Sequence, residues 1–262
     1  MSGRLNHQSI IVTGAGRGIG AELAQAFAAE GAKVVVADVN KGNAANVAKR
    51  IMASGGSAIS VEVDVRKRDS IRAMISAAVK EFGGLDTMVN NAGIAQVRTF
   101  LDISDEDWDT MLEVNSRGVL FCMQESIKQM LAQGHGGSVI NMSSIAGKQG
   151  YPTQAHYCAS KFGVVALTQA AAKAFGPNRI RVNAICPGIV ATDMWKMIDQ
   201  GFRDAGLTNE ENEAFNGYVA LTALGRPSTP ADLTGVAVFL ASHESEYMTG
   251  QTLLIEGGLV FD

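Results

Sequence analysis

The sequence predicts an α/β fold built on one parallel sheet with helices packed on both of its faces. Short runs rich in valine and isoleucine alternate with helical stretches of ten or more residues, which is typical of strands joined by helical crossovers. The 262 residues contain no internal repeat, low-complexity tract or linker, so we expect a single domain over residues 1–262. Hydrophobic residues make up 47% of the chain and charged residues 18%, and these values exclude a disordered chain.

Seven strands and six main helices are predicted in alternation along the chain. The strands are expected at 9–13, 33–38, 58–63, 86–90, 137–141, 179–185 and 252–255. The helices are expected at 18–30, 41–53, 69–82, 105–132, 153–175 and 230–240. Continuous valine and isoleucine runs suit strands that are covered on both faces, and right-handed crossovers between them produce a doubly wound, Rossmann-type sheet of seven strands.

A glycine-rich loop, TGAGRGIG at residues 13–20, follows the first strand and opens the first helix. Glycine permits a tight turn and lets the main chain approach a pyrophosphate closely, while the helix N-terminus presents free N–H groups to that anion. Since the loop lies between a strand and a helix, it predicts a dinucleotide-binding site. The residues expected to contact the cofactor here are Gly14, Arg17, Gly18, Ile19 and Gly20.

Two acidic residues that follow the next strands refine the prediction of the cofactor. Asp38 ends the second strand, where a carboxylate can accept hydrogen bonds from the adenosine ribose and repel the 2′-phosphate of NADP. Arg17 is an opposing indication, because its guanidinium could face that phosphate, but the carboxylate would have to be neutralised before NADP fits. The sequence therefore predicts NAD. Asp64, with Val65 beside it, is interpreted as the partner of the adenine amino group, with a cap of the following helix as the alternative.

Four polar residues form the predicted catalytic group. Tyr157 and Lys161 are four residues apart in a predicted helix, so the hydroxyl and the ammonium share one face. A nearby ammonium favours the phenolate, which lets a tyrosine act as a general base for alcohol oxidation and as an acid in the reverse reaction. Ser144 follows the fifth strand, where its hydroxyl can bond a substrate oxygen. Asn115 lies inside the predicted helix at 105–132, where a kink or an internal hydrogen bond is one interpretation.

Taken together, these motifs resemble the short-chain dehydrogenase/reductase family across essentially the whole chain. The matching residues are Thr-Gly-x-x-x-Gly-x-Gly at 13–20, Asn-Asn-Ala-Gly at 90–93, Asn115, Ser144, Tyr157, Lys161 and Pro187-Gly188. The resemblance implies that Tyr157 is the acid/base and that Ser144 orients the substrate oxygen. It also implies that Lys161 lowers the tyrosine pKa and holds the nicotinamide ribose, and that Asn115 supports a water-mediated proton relay to Lys161.

The same resemblance adds further cofactor contacts, a lid and an assembly. Relatives contact the cofactor at positions equivalent to Asn91, Ala92, Gly93, Tyr157, Lys161, Pro187, Gly188, Val190 and Thr192. Thr192 is expected to bond the nicotinamide carboxamide. A mobile lid over the substrate is expected at about 191–217, a stretch whose pattern also fits an ordinary amphipathic helix pair. Relatives associate as tetramers, so we expect a homotetramer.

Local phrases around Pro187 to Trp195 and at the C-terminus resemble acetoin reductase/butanediol dehydrogenases and sugar-alcohol dehydrogenases. They predict a small polar secondary alcohol, a sugar alcohol or vicinal diol, or the matching ketone. The residues expected at the substrate are Ser144, Gln154, Tyr157 and Trp195, although Gln154 could instead bond its own helix or solvent. A 3-oxoacyl-carrier-protein reductase is the alternative enzyme, which Asp38 and the net charge of −4 disfavour. A non-catalytic NAD-binding regulator is the alternative outside catalysis, which the presence of Tyr157 and Lys161 disfavours.

Charge and composition disfavour several other functions. The net charge of −4 and the lack of a long basic run argue against nucleic acid and anionic membrane surfaces as partners. The polar N-terminus and the lack of an apolar run of about 20 residues favour a cytoplasmic protein. The histidines and cysteines lack ligand spacing, so no catalytic metal is expected, whereas the pattern is neutral on a structural metal at an oligomer interface. His156 adjoins Tyr157, but neighbours in a helix point about 100° apart, so a direct catalytic role is not expected.

Overall fold

One sheet of seven parallel strands runs through the computed structural model, which describes residues 3–261. The strands are β1 (Ser9–Thr13), β2 (Lys33–Asp38), β3 (Ser57–Glu62), β4 (Thr87–Asn90), β5 (Gly137–Met142), β6 (Ile180–Pro187) and β7 (Thr252–Ile255). Their order across the sheet is β3-β2-β1-β4-β5-β6-β7, and every neighbouring pair is parallel. The predicted doubly wound sheet is confirmed. Its strand order reverses between β1 and β4, where such sheets open a crevice at the carboxyl ends of the strands.

Nine α-helices surround the sheet within residues 3–261. They are α1 (Gly18–Ala29), α2 (Lys41–Ala53), α3 (Arg68–Phe82), α4 (Asp105–Leu112), α5 (Gly118–Gln133), α6 (Ala155–Phe175), α7 (Asp193–Asp204), α8 (Glu213–Ala220) and α9 (Thr234–Ala241). None of these helices is both long enough and apolar enough to cross a membrane.

Three helix predictions need correction. The single helix predicted at 105–132 is wrong, because a π-turn at Glu113–Arg117 separates α4 from α5. The helix predicted to start near residue 153 begins at Ala155, with Gln154 as its N-cap. A short 3₁₀ turn, Pro230–Leu233, precedes α9 where one helix was expected. The other predicted boundaries agree with the structure to within two residues, which is the usual scatter at element ends.

The two faces of the sheet bury separate clusters of apolar side chains. Val12 belongs to a cluster with Phe27 of α1 and Leu240 of α9, whereas Ile11 belongs to a cluster with Met74 of α3. The two β1 residues divide in this way because successive side chains of a strand point to opposite faces. All five side chains are fully buried, and burial of each stabilises the fold by about 1.5–3 kcal/mol. The carboxyl ends of β1, β4 and β5 are therefore held in place by a well-packed core.

Candidate active site

The glycine loop after β1 packs against the chain that follows β4. Gly14 adopts a φ of 63°, and a Cβ added there would lie 2.8 Å from the Cα of Ala92. A Cβ added at Gly20 would overlap the carbonyl oxygen of Gly14. Glycine is therefore required at both positions, and the main chain of the loop is free to approach a ligand at the N-terminus of α1.

Hydrogen bonds hold this loop in place from behind. The Asn91 amide nitrogen donates to the carbonyls of Thr13 and Gly14, at 2.9 and 3.1 Å. The hydroxyl of Thr13 accepts the N–H groups of Asn91 and Ala92, both at 3.1 Å, and donates to Val89. The side chain of Asn91, predicted to touch the cofactor, thus supports the loop. Sequence reasoning assigned no such role to Thr13, although its place at the end of β1 was visible in the sequence.

Asp38 lies at the open side of the loop, at the end of β2. Its carboxylate accepts the N–H of Gly16 at 2.9 Å and the N–H of Asn40 at 2.8 Å. A Cβ added at Gly16 would lie 2.8 Å from that carboxylate, so Gly16 has a part in the site that the sequence prediction missed. Arg17 is exposed at the N-cap of α1, and Ile19 packs partly into the core beside it. Asp38 and the loop are therefore one preformed unit.

Asp64 is paired with a neighbouring arginine at the end of the third strand. Both of its oxygens accept hydrogen bonds from the Arg66 guanidinium, each at 2.9 Å. These bonds hold the pKa of Asp64 below its ordinary value, although burial acts in the opposite direction. The N-cap of α3 is Lys67, so the alternative interpretation of Asp64 as a helix cap is wrong. Val65 is buried against Gly118, where an added Cβ would lie 2.9 Å from it.

The predicted catalytic side chains meet beyond the carboxyl end of β5. Ser144 lies beside Tyr157, and its hydroxyl acts to lower the pKa of the tyrosine. Lys161 is buried, its Nζ lies 5.7 Å from the centroid of the tyrosine ring, and it donates to the carbonyl of Met142 at 2.9 Å. The spacing of Tyr157 and Lys161 on α6 does bring both groups to one face, as predicted. Because Tyr157 and Lys161 also lie near Ser144, this corner of the sheet is suited to proton transfer.

Burial dominates the acid–base properties of this group. Burial raises the pKa of Tyr157 to about 12, and the neighbouring Ser144 hydroxyl opposes this by a smaller amount. Burial also lowers the pKa of Lys161 to about 8. The expectation that Lys161 lowers the tyrosine pKa stays a prediction. The tyrosine is neutral and the lysine mostly charged at neutral pH.

Asn115 sits in the π-turn between α4 and α5 and is completely buried. Its amide oxygen accepts the N–H of Ile94, and its nitrogen donates to the carbonyl of Ile94 and the hydroxyl of Ser160, at 2.9 to 3.1 Å. A Cβ added at Gly93 would lie 3.2 Å from Asn115 Oδ1 and 3.6 Å from Lys161 Nζ, so these residues share one corner. The interpretation as an internal hydrogen bond is confirmed, and the amide is fully engaged. The water-mediated proton relay expected at Asn115 stays a prediction.

The chain after β6 closes the cofactor side of the crevice. Pro187 ends β6, and a Cβ added at Gly188 would lie 2.6 Å from the Cβ of Glu256. Val190 forms an isolated bridge with Ser228. Thr192 is the N-cap of α7, and its methyl group would lie 3.7 Å from a Cβ added at Gly18. Thr192 is thus placed over the glycine loop.

Two helices, α7 and α8, occupy the predicted lid, and α8 extends to Ala220, beyond the expected limit of 217. Trp195 of α7 packs against Phe215 and Tyr218 of α8, with ring centroids 5.6 Å apart in both pairs. Tyr218 also meets Tyr151 at 6.2 Å. A cleft of about 270 Å³ opens beside this cluster, and its lining includes Ala191, Thr192, Asp193, Trp195, Lys196, Asn212 and Phe215. The contact between Tyr151 and Tyr218 could not be predicted, because the two residues are 67 positions apart in the sequence.

A buried carboxylate joins the two lid helices. Asp199 of α7 is 1% exposed and accepts the N–H groups of Asn212, Ala214 and Phe215 at 2.7, 3.1 and 3.3 Å. It also pairs with Arg203. Three N–H groups at the start of α8 are satisfied in this way by a side chain from another helix, which is the work of a helix cap. Sequence reasoning missed this residue, because a capping residue is normally sought next to the helix it caps.

Gln154 lies at the start of α6, three residues before Tyr157. It is 9% exposed, and its amide nitrogen has no hydrogen-bond partner among residues 3–261. Its side chain does not cap α6, so the alternative that it bonds its own helix is not observed. A buried donor without a partner is costly, and such atoms are often satisfied by a ligand or by ordered water. Within the same range, no three acidic, histidine or cysteine side chains cluster as a metal site.

Comparisons with known proteins agree with this site. A family model described as enoyl-(acyl carrier protein) reductase matches residues 14–260. The galactitol 2-dehydrogenase of Agrobacterium fabrum is 41% identical over 256 residues, covering 97% of this chain and 98% of that protein. The L-2,3-butanediol dehydrogenase of Corynebacterium glutamicum is 39% identical over 254 residues, covering 96% and 98%. The crystal structure of carveol dehydrogenase from Mycobacterium avium in complex with NAD matches with a TM-score of 0.91 and 31% identity, covering 98% of this chain and 99% of that one. The predicted resemblance to butanediol and sugar-alcohol dehydrogenases is confirmed.

Proposed function

Because this chain is an oxidoreductase of the short-chain dehydrogenase/reductase family, we propose that it is an NAD-dependent dehydrogenase of small polar secondary alcohols. The observation that carries the proposal is the group formed by Tyr157, the adjacent Ser144 and the buried Lys161, whose Nζ lies 5.7 Å from the centroid of the tyrosine ring. This group lies at the carboxyl edge of the sheet, where Thr192 also lies, close to Gly18 of the glycine loop. Sugar alcohols and vicinal diols, or the corresponding hydroxyketones, are the proposed substrates.

Ser144 and Tyr157 handle the proton of the reaction. In oxidation, Ser144 and Tyr157 bond the substrate oxygen, and Tyr157 in its phenolate form takes the proton as the C–O bond becomes a carbonyl. In the reverse direction, Tyr157 returns the proton to the same oxygen. When bound, NAD supplies the hydride acceptor and a positive charge near these groups. Because burial raises the pKa of Tyr157 to about 12, oxidation should speed up as the pH rises through the alkaline range.

The residues at the glycine loop fit a dinucleotide. A Cβ on Gly14, Gly16 or Gly20 would collide with neighbouring protein atoms, so only glycine allows the close-packed loop that a pyrophosphate can approach. Gly18, Ile19 and Arg17 complete the loop at the N-terminus of α1, and Ala92, Gly93 and Asn91 support it from below. Pro187, Gly188, Val190 and Thr192 form the opposite wall. We assign Asp64 and Val65 to the adenine end, where Arg66 fixes the orientation of the Asp64 carboxylate.

Asp38 is the proposed reason for a preference for NAD. Its carboxylate is held by two main-chain N–H groups and stays directed at the mouth of the loop, where a 2′-phosphate would meet it. The test is to titrate wild type and Asp38→Ala with NADH and NADPH by fluorescence. We expect wild type to bind NADH at least about tenfold more tightly, and the variant to lose most of that difference. Equal affinity of the wild type for both cofactors would refute the assignment.

The substrate assignment rests on the unpaired amide of Gln154 near Tyr157. A site built to bond several hydroxyls rejects analogues that lack them, because its polar atoms would be left unpaired. The test is a panel of galactitol, sorbitol, 2,3-butanediol and acetoin against a steroid alcohol and a 3-oxoacyl thioester. We expect activity on the first four, and Gln154→Leu should lose most of it while keeping its affinity for NADH. Preference for the thioester would favour the alternative enzyme, a 3-oxoacyl-carrier-protein reductase.

We extend the proposal to a homotetramer. Helices α5 and α6 carry apolar residues on more than one face, and Phe162 of α6 is 45% exposed. Leu120, Phe121, Val165 and Leu167 are only partly buried within one chain. A second copy that packs on these helices would cover them. Light scattering at micromolar concentration should give four times the mass of the chain, and a monomer mass would refute the assembly.

A further inference from the structure

A buried histidine directly precedes the catalytic tyrosine, and the proposed chemistry does not use it. His156 lies in the first turn of α6 with no exposed surface. Its Nε2 lies 3.0 Å from the amide oxygen of Gln96, which belongs to the segment 94–99 after β4. No direct catalytic role was expected for His156, Gln96 was not expected in the site, and 60 positions of sequence separate the two residues. A buried polar pair that joins two walls of a pocket needs a physical reason.

The partner of Gln96 determines how this pair is protonated. The amide nitrogen of Gln96 donates to Asp107 of α4 at 2.5 Å. Burial would raise the pKa of Asp107, but hydrogen bonds from Gln96, Ser104 and Arg98 lower it to about 2, so the carboxylate is charged. A carboxylate accepts only from the nitrogen end of the amide, which leaves the oxygen end for the histidine. His156 therefore carries its proton on Nε2.

The other ring nitrogen confirms that the imidazole is neutral in this environment. Nδ1 of His156 has no hydrogen-bond partner among residues 3–261. The charged groups that face the ring are Asp107, which favours the protonated form, and Arg98, which opposes it. Burial has the largest effect and lowers the pKa of His156. A second proton would leave a charged donor buried without an acceptor.

The segment 94–99 lies between the catalytic helix and the lid. On one side, the N–H of Arg98 donates to the carbonyl of Thr153 at 2.9 Å, immediately before α6. On the other side, Val97 packs with Ile198 and Phe202 of α7, and a Cβ added at Gly201 would lie 2.9 Å from Val97. Movement of the segment relative to α6 would therefore move the support of the lid relative to Tyr157.

We propose that His156 is a positioning residue, which, through Gln96 and Asp107, fixes the segment 94–99 against the first turn of α6 and so sets the distance between the lid and Tyr157. The side chain acts through its neighbours, because its Nε2 is engaged by Gln96. Asp107 contributes to two elements at once, since it also accepts the hydroxyl of Ser104 at 3.0 Å in the capping box of α4. This inference depends on the proposed function only where turnover is used as a readout.

The first test compares His156→Leu with His156→Gln. Leucine removes the donor to Gln96, whereas the amide nitrogen of glutamine can replace Nε2. For His156→Leu we expect KM for the alcohol to rise about tenfold, kcat to change less than about threefold, and the affinity for NADH to stay unchanged. Backbone hydrogen exchange in 94–99 should accelerate in the same variant. His156→Gln should restore both measurements to near the wild-type values.

Val164→Ala is the matched control, because Val164 is a fully buried residue on the same helix and is remote from segment 94–99 in the packing of the core. If this variant lowers thermal stability as much as His156→Leu and also raises KM and exchange in 94–99, the role of His156 is merely structural and the proposal is wrong. A rise in KM without any change in exchange would mean direct contact with the substrate, which also overturns it.

A nitrogen NMR measurement tests the protonation state without any activity. The ring nitrogens of His156 should show the neutral form with its proton on Nε2 at pH 7, and this pattern should be lost in Gln96→Leu. A proton on Nδ1 would overturn the proposal. If none of the alcohols is oxidised, the proposed function fails, while the exchange and NMR results still decide the role of His156.

Discussion

The glycine loop and the first turn of α6 lie at the same edge of the sheet but are constructed differently. At the loop, Thr13 and Asn91 tie the main chain from behind, and Asp38 is held by two N–H groups. At the first turn of α6, Gln154 and His156 each keep a buried polar atom without a partner. The cofactor half of the site, which is the glycine loop with Asp38, is therefore complete as folded, whereas the substrate half has the unpaired amide of Gln154, which a ligand can use.

The difference teaches where specificity resides in this molecule. The loop is one contiguous stretch, and its geometry follows from glycine and from the end of one strand. The substrate half combines the first turn of α6, the segment 94–99 and the two lid helices. A change in the lid or in the segment can alter the substrate without disturbing the loop, so one fold can serve several alcohols.

The largest expected effect is that of Tyr157→Phe, which should lower turnover without weakening the binding of NADH. The variant removes the hydroxyl that exchanges the proton but leaves the loop untouched, so turnover should fall by about 10²–10⁴-fold while the affinity for NADH stays within about twofold. Stopped-flow turnover and a fluorescence titration measure the two quantities. Tyr247→Phe is the matched control, since that tyrosine is fully exposed. Turnover above about a tenth of wild type in Tyr157→Phe would remove the tyrosine from its assigned role.

Gly20→Ala should weaken cofactor binding at the glycine loop. The added Cβ would overlap the Gly14 carbonyl and lie 2.5 Å from the Asn91 amide nitrogen, so the loop must shift. We expect the affinity for NADH to fall at least about thirtyfold, because the N–H groups that face the pyrophosphate move with the loop. Gly42→Ala in α2 is the control, since its nearest neighbour would be 3.4 Å away and alanine favours a helix. Unchanged NADH binding in Gly20→Ala would mean that the loop is not preformed.

How much could be predicted from the sequence also differs between the glycine loop and the substrate half of the site. The loop, Asp38 and the spacing of Tyr157 and Lys161 depend on local geometry, and the structure places them as expected. The π-turn at Asn115 could not be predicted, because it depends on hydrogen bonds to Ile94 and Ser160 that form only in the folded chain.

The substrate half depends on contacts between distant segments. The links from His156 to Gln96 and from Trp195 to Tyr218 have no local pattern. The sequence also does not display the burial that raises the pKa of Tyr157 and lowers that of Lys161 in the folded chain.

The smallest expected effect concerns the lid, which belongs to the substrate half of the site. Asp199 satisfies three N–H groups of the α8 N-terminus, so α7 and α8 should move as one body. Burial would raise the pKa of this carboxyl, but the N–H groups of Asn212 and Phe215 and the Arg203 guanidinium hold it below its ordinary value. A carboxyl whose pKa is lowered by folding stabilises the fold above its ordinary pKa, and this contribution is lost as the pH falls through the lowered value.

Acid should therefore weaken the link between α7 and α8 in the wild type. In Asp199→Asn, this link should be weak already at pH 7. Trp195 reports the lid, because it packs against both Phe215 and Tyr218, and the other tryptophan can be removed by Trp108→Phe. In that background, we expect the emission of Trp195 to shift as the pH falls below about 4, and Asp199→Asn to show the shifted emission at pH 7 with little further change. KM for the alcohol should rise only about threefold, since Tyr157 and Ser144 remain in place. Asp193→Asn is the control, because Asp193 is an exposed acid of the same helix. If Asp199→Asn titrates like its parent, the two helices are not joined by this carboxylate, and the lid moves as two separate parts.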